Sequence, residues 1–133
     1  MKVYLFGNPD HHQDNIAFKV ADKLQPDFQN IIFEYIKPNQ DIPFINQDHV
    51  YILDAVMGIK SPKIITQEDL DRLILPPRSS AHDYDLAFQL KYLIKLKKLK
   101  KITIIGIPLE EKLSYDSIHS IFKKLVAQDI QGS

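Results

Sequence analysis

Short apolar runs rich in β-branched and aromatic residues alternate along this chain with segments whose apolar residues repeat at helical spacing. That alternation restricts the fold more than any other feature, because strands separated by helices pair in parallel and need helices on both faces of the sheet. Val3 to Phe6 reads as a buried first strand closed by the turn residues Gly7-Asn8-Pro9. Ala17, Val20, Ala21 and Leu24 then repeat as one helix face, with Asp10 and Gln13 as a variant capping box and Pro26 just past the end. Ile31 to Tyr35 reads as a second strand. Residues 38 to 48 carry two prolines and many polar groups and read as loop with at most one helical turn. Val50 to Leu53 is the third strand, ending in Asp54.

Lys63 to Thr66 reads as a short fourth strand, and Glu68 to Leu73 as one or two helical turns ended by Pro76-Pro77. From Asp83 the positions Leu86, Leu90, Leu93, Ile94 and Leu99 trace a long amphipathic helix, and Ile102 to Ile107 is the clearest strand. Ile118, Ile121, Phe122, Leu125 and Val126 trace a last helix, which Ser114 is placed to cap. The expected fold class is α/β: three layers, α/β/α, around a largely parallel, twisted sheet of about five strands. With no internal repeat or linker, residues 1–133 read as a single domain, a length that buries about two thirds of the unfolded surface.

Composition narrows the chemistry. Seventeen basic residues balance seventeen acidic ones, so the overall field favours neither nucleic acid nor an anionic membrane. The chain has no cysteine, which excludes disulfides, thiolate nucleophiles and thiolate-bound metals, so any metal would be held by oxygen and nitrogen. No run approaches the roughly 20 apolar residues of a membrane span, and the apolar start is too short for a signal peptide, which leads us to expect a cytoplasmic protein.

Three polar positions follow strand-like runs: Asp14 after the Gly7-Asn8-Pro9 turn, Asp54 at the end of the third strand, and His82 in the Ser80-Ala81-His82 segment. In a parallel sheet such positions share one edge, where two carboxylates and an imidazole make up a metal or acid/base site. Asp54 carries the most weight, since a carboxylate closing an apolar strand must face a cleft or be paired. Asp14 and His82 each have a plain alternative, as a helix-dipole partner and as a surface loop histidine. His11 and His12 flank the site, but adjacent histidines point in different directions. Lys95, Lys97, Lys98, Lys100 and Lys101 read as a solvated helix end. Gly7-Asn8-Pro9 lacks the glycine spacing of a dinucleotide-binding turn, and Ser79 and Ser80 lack a triad.

The order of these motifs resembles that of the maturation endopeptidases of nickel-iron hydrogenases. The resemblance is carried by Gly7-Asn8-Pro9 with Asp14 six residues after the asparagine, and by Asp54-Ala55-Val56 with Gly58 and Pro62 downstream. It continues through Ser80-Ala81-His82 leading to Leu86, Gly106-Ile107-Pro108, and Leu113-Ser114. Gln13-Asp14-Asn15-Ile16-Ala17 departs from the acidic, glycine-rich first helix usual in that family, and Leu109 to Lys112 is a short segment for it. The resemblance implies a monomeric, phosphorylase/hydrolase-like domain that removes a short C-terminal peptide from a hydrogenase large-subunit precursor. It also implies that Asp14, Asp54 and His82 act as catalytic metal ligands, engaging nickel carried by the substrate, with zinc or cadmium able to stand in. The alternative is a binding module of the same fold that holds a metal or partner without cleavage.

Overall fold

The computed structural model describes residues 1–6, 15–36, 42–72, 86–109 and 114–131. Five strands, β1 (Lys2–Leu5), β2 (Ile32–Tyr35), β3 (His49–Val56), β4 (Lys63–Thr66) and β5 (Lys101–Pro108), form one sheet in the order β2-β1-β3-β5-β4. The first four in that order are parallel, and β4 runs antiparallel to β5 at the edge. Three helices, α1 (Ile16–Leu24), α2 (Leu86–Lys95) and α3 (Tyr115–Gln131), cover the two faces. The expected three-layer α/β/α architecture with a largely parallel sheet is borne out.

Side chains of successive strand residues point to opposite faces, so each strand feeds both cores. On one face Leu5, Tyr51, Leu53, Ile105 and Ile107 meet Ala17, Val20, Ala21 and Leu24 of α1 and Ile118, Phe122 and Leu125 of α3. The four α1 residues are those of the helical repeat in the sequence, and all are buried. Phe122 is fully buried and packs its ring against Phe28 and Phe33, at 5.9 and 6.0 Å between centroids. Each such large side chain contributes roughly 1.5–3 kcal/mol of burial. On the other face Ile52, Val56, Ile102 and Ile104 meet Leu90 and Leu93 of α2 and Leu70 of a 3-10 turn. Phe44, in the turn after residue 42, packs its ring against Tyr4 of β1, at 4.9 Å between centroids, in the same core.

Three boundaries differ from the sequence reading. The third strand runs two residues past Asp54, because β5 continues beside it as far as the pair Val56 and Pro108. The long helix stops at Lys95: Lys97 adopts a left-handed φ of 59°, and Lys98 N–H bonds back to the Leu93 carbonyl at 2.8 Å. Leu99 is buried all the same, but from the connection to β5 rather than from the helix. The described first helix begins at Ile16 with Asn15 at its cap, and the expected caps Asp10 and Gln13 lie outside the described residues. Ser114 does cap α3, its hydroxyl accepting the Ser117 N–H at 3.4 Å.

Candidate functional site at the carboxyl edge of the sheet

The connection that follows β1 leads to α1 on one face, whereas the chain after β3 reaches β5 by way of α2 on the other. Neighbouring strands whose connections leave to opposite faces open a crevice at their carboxyl ends, and here that point lies between β1 and β3. Asp54 is at that point. It is 1% exposed, opposite Gly106 in the β3–β5 register and one residue beyond the last β1–β3 pair, Leu5 and Leu53.

The backbone fixes where its carboxylate lies. Phe6 N–H donates to the Leu53 carbonyl at 3.4 Å, so Leu53 turns its peptide groups toward β1. Peptide groups alternate sides along a strand, so Ala55 also faces the β1 side, beyond the last residue of β1. Its N–H donates instead to Asp54 Oδ1 at 2.8 Å. The Asp54 carboxylate therefore lies on the β1 side of β3, beyond the last β1–β3 pair. Charge-assisted bonds of this kind offset part of the cost of burying a carboxylate.

Gly106 belongs to the same arrangement. A Cβ there would come within 3.0 Å of Val56 Cγ2 and 3.1 Å of Ile65 Cδ1, so any larger residue requires those side chains to give by a few tenths of an ångström beside the β3 segment that bears Asp54. Asn15 opens α1, its carbonyl accepts the Phe18 and Lys19 N–H groups, and its Oδ1 is buried without a hydrogen-bond partner among the described residues. A buried acceptor left so costs about 1–3 kcal/mol unless a donor reaches it.

Of the three residues singled out from the sequence, Asp54 is thus at the carboxyl edge of the sheet. Asp14, immediately before Asn15, and His82, four residues before the start of α2, lie outside the described residues, as do His11, His12, Ser79, Ser80 and the Gly7-Asn8-Pro9 turn. Among the described residues no three His, Asp or Glu side chains converge as a metal site. A groove of about 750 Å³ between α1 and β2, lined by Leu5, Ala21, Phe33 and Tyr35 among others, lies on the far side of β1 from Asp54.

A second polar cluster, which no local motif announced, occupies the amino edge of the same central strands. His49 Nε2 is 2.7 Å from Thr103 Oγ1, and its ring lies 4.1 Å from that of Tyr51. The Asp129 carboxylate of α3 faces the Tyr51 hydroxyl closely enough to act on its ionisation. Burial, with help from Lys101, lowers the pKa of His49 against an opposing pull from Asp129. Burial, then the charge of Asp129, raises that of Tyr51. The sole hint in the sequence was the polar-apolar alternation His49-Val50-Tyr51.

No helix among the described residues is long and apolar enough to cross a membrane. Compared by sequence, the chain matches no family model and has no significant match among curated proteins. By structure it is similar to the hydrogenase maturating endopeptidase HybD from E. coli, with a TM-score of 0.59 and 19% identity over 99% of this chain and 93% of that one. It is also similar to an endopeptidase from Escherichia coli whose solution structure is known, with a TM-score of 0.50 and 17% identity over 98% of this chain and 90% of that one. Likeness at such identities is a likeness of fold, and the fold it establishes is the one that the order of the sequence motifs implied.

Proposed function

We propose that this protein is a processing endopeptidase that removes a short C-terminal peptide from a nickel-iron hydrogenase large-subunit precursor. The observation that carries the reading is the buried Asp54 carboxylate, which accepts the Ala55 N–H beyond the last β1–β3 pair at the switch point of the sheet. The motif order shared with the maturation endopeptidases and the structural likeness to one of them support it.

In this reading nickel enters with the substrate. Asp54, Asp14 and His82 supply two carboxylates and an imidazole to the installed ion, a donor set that nickel accepts and that zinc or cadmium can also occupy. Hydrolysis adds water across one peptide bond: the oxygen goes to the acyl carbon, a proton goes to the departing amine, and polarisation by the ion replaces a serine or cysteine nucleophile. Asp54 is held on a strand that is paired with β5 along its whole length. Asn15 Oδ1 offers an acceptor to a water or peptide N–H. The protein acts as a monomer in the cytoplasm.

The test is intact-mass measurement of purified precursor, nickel-loaded and nickel-free, after incubation with the protein. The loaded precursor is shortened and the nickel-free one stays intact. If the protein binds the precursor but never shortens it under any metal loading, while a processing peptidase of known activity does, the protein is a binding module and the peptidase reading fails.

A further inference from the structure

The carboxyl edge carries a feature that the cleavage chemistry does not use. Val56 and Pro108 are the last register pair of β3 and β5, so Met57 and Leu109 follow side by side where strand axes lie about 4.8 Å apart. Both are large apolar side chains left 39% and 38% exposed, and neither joins the two cores. Met57 is three residues from Asp54, about 10 Å along extended chain. The chain then turns at Gly58, which has a φ of 84°, and returns through Lys60 and Lys63, the latter opposite Gly106 in the β4–β5 register. Residues 57 to 66, Met-Gly-Ile-Lys-Ser-Pro-Lys-Ile-Ile-Thr, contain no acidic residue, and both lysines are exposed with no ion pair among the described residues.

Resting on the peptidase reading, we infer that Met57, Leu109, Lys60 and Lys63 form the docking surface for the precursor's C-terminal tail. An extended polypeptide that crosses this edge from the β4–β5 side brings a bond toward Asp54. Met57 and Leu109 take an apolar side chain about three residues from that bond. Lys60 and Lys63 attract the free carboxylate that ends every such tail, an attraction that salt screens because both cations are exposed. The surface therefore selects a chain end rather than an internal loop.

The experiment compares wild type with the pairs Met57→Ser/Leu109→Ser and Lys60→Gln/Lys63→Gln, all at exposed positions and checked for folding by circular dichroism. On nickel-loaded precursor, each pair raises KM about tenfold and leaves kcat within about twofold. A synthetic peptide reproducing the tail binds wild type more tightly as the free acid than as the amide, and the lysine pair abolishes that preference. Unchanged KM in both pairs with normal cleavage by wild type overturns the docking surface and leaves the peptidase reading standing. If wild type does not cleave, the peptidase reading falls and peptide binding decides: weaker binding by both pairs upholds the surface, and equal binding overturns it. A change in sedimentation from dimer to monomer in the Met57→Ser/Leu109→Ser pair with KM unchanged also overturns it, since the patch would then serve self-association.

Discussion

The two ends of β3 both bury titratable groups, but in opposite ways. At the amino end His49 pairs with Thr103 across β3 and β5, with Tyr51 and the Asp129 charge of α3 beside them, and the shifts of His49 and Tyr51 both favour their neutral forms. At the carboxyl end Asp54 accepts the N–H of its own neighbour Ala55 beyond the last β1–β3 pair. Burial of a polar group therefore does not by itself mark a reactive site. The amino-edge cluster pairs His49 with Thr103 across two strands, whereas Asp54 stands where the strand connections diverge.

The largest stability effect we expect tests how the carboxyl edge is built. Gly106→Val forces branches into Val56 and Ile65, which already lie at 3.0 and 3.1 Å from a single added Cβ. Such overpacking costs about 1–3 kcal/mol and should lower the denaturation midpoint by a corresponding amount. A midpoint unchanged within error would show that β5 can shift and that the site is less rigid than drawn. Next in size is Tyr51→Phe at the amino edge, which removes the hydroxyl that faces Asp129. It should cost about 1 kcal/mol in urea unfolding, and a neutral result would mean that Asp129 is solvated without Tyr51.

A further contrast is in metal affinity. With two carboxylates, one imidazole and no thiolate, the free protein should bind zinc or nickel weakly, and His82→Ala should weaken calorimetric binding further. His49→Ala should leave it unchanged. Equal affinity of wild type and His82→Ala would remove the imidazole from the ligand set.

The smallest effect is a pH dependence confined to the amino edge. Burial holds the pKa of His49 below its ordinary 6.5, so the folded state binds fewer protons than the unfolded one. The stability this contributes is fully present above about 6.5 and is lost as pH falls through the lowered folded value. For Tyr51 the sign reverses: its contribution is present below about 10 and is lost as pH rises through the raised value. His49→Gln should flatten the fall in thermal midpoint on acidification, and an unchanged slope would assign that fall to other groups.

These edges also differ in how far the sequence revealed them. Helix faces were legible because period and burial coincide, as in Ala17, Val20, Ala21 and Leu24. Asp54 was legible because a charge that ends an apolar run has few structural explanations. Its strand continues through Ala55 and Val56 for a reason local pattern does not carry, namely the partner strand β5. The end of α2 was hidden because Lys97 takes the left-handed turn that glycine usually signals, inside a lysine run that keeps the helical period. The amino-edge cluster was invisible for a related reason: His49 and Thr103 are 54 residues apart, and only the parallel register joins them.

The account rests on the carboxyl edge being the working one, and Asp54→Asn set against Tyr51→Phe tests it most directly. Both substitutions keep side-chain shape, and each touches one end of β3. With nickel-loaded precursor followed by intact mass, Asp54→Asn should bind the precursor yet cut it at least about 100-fold more slowly, while Tyr51→Phe stays within about twofold of wild type. Cleavage at the wild-type rate by Asp54→Asn would contradict the assignment of the site.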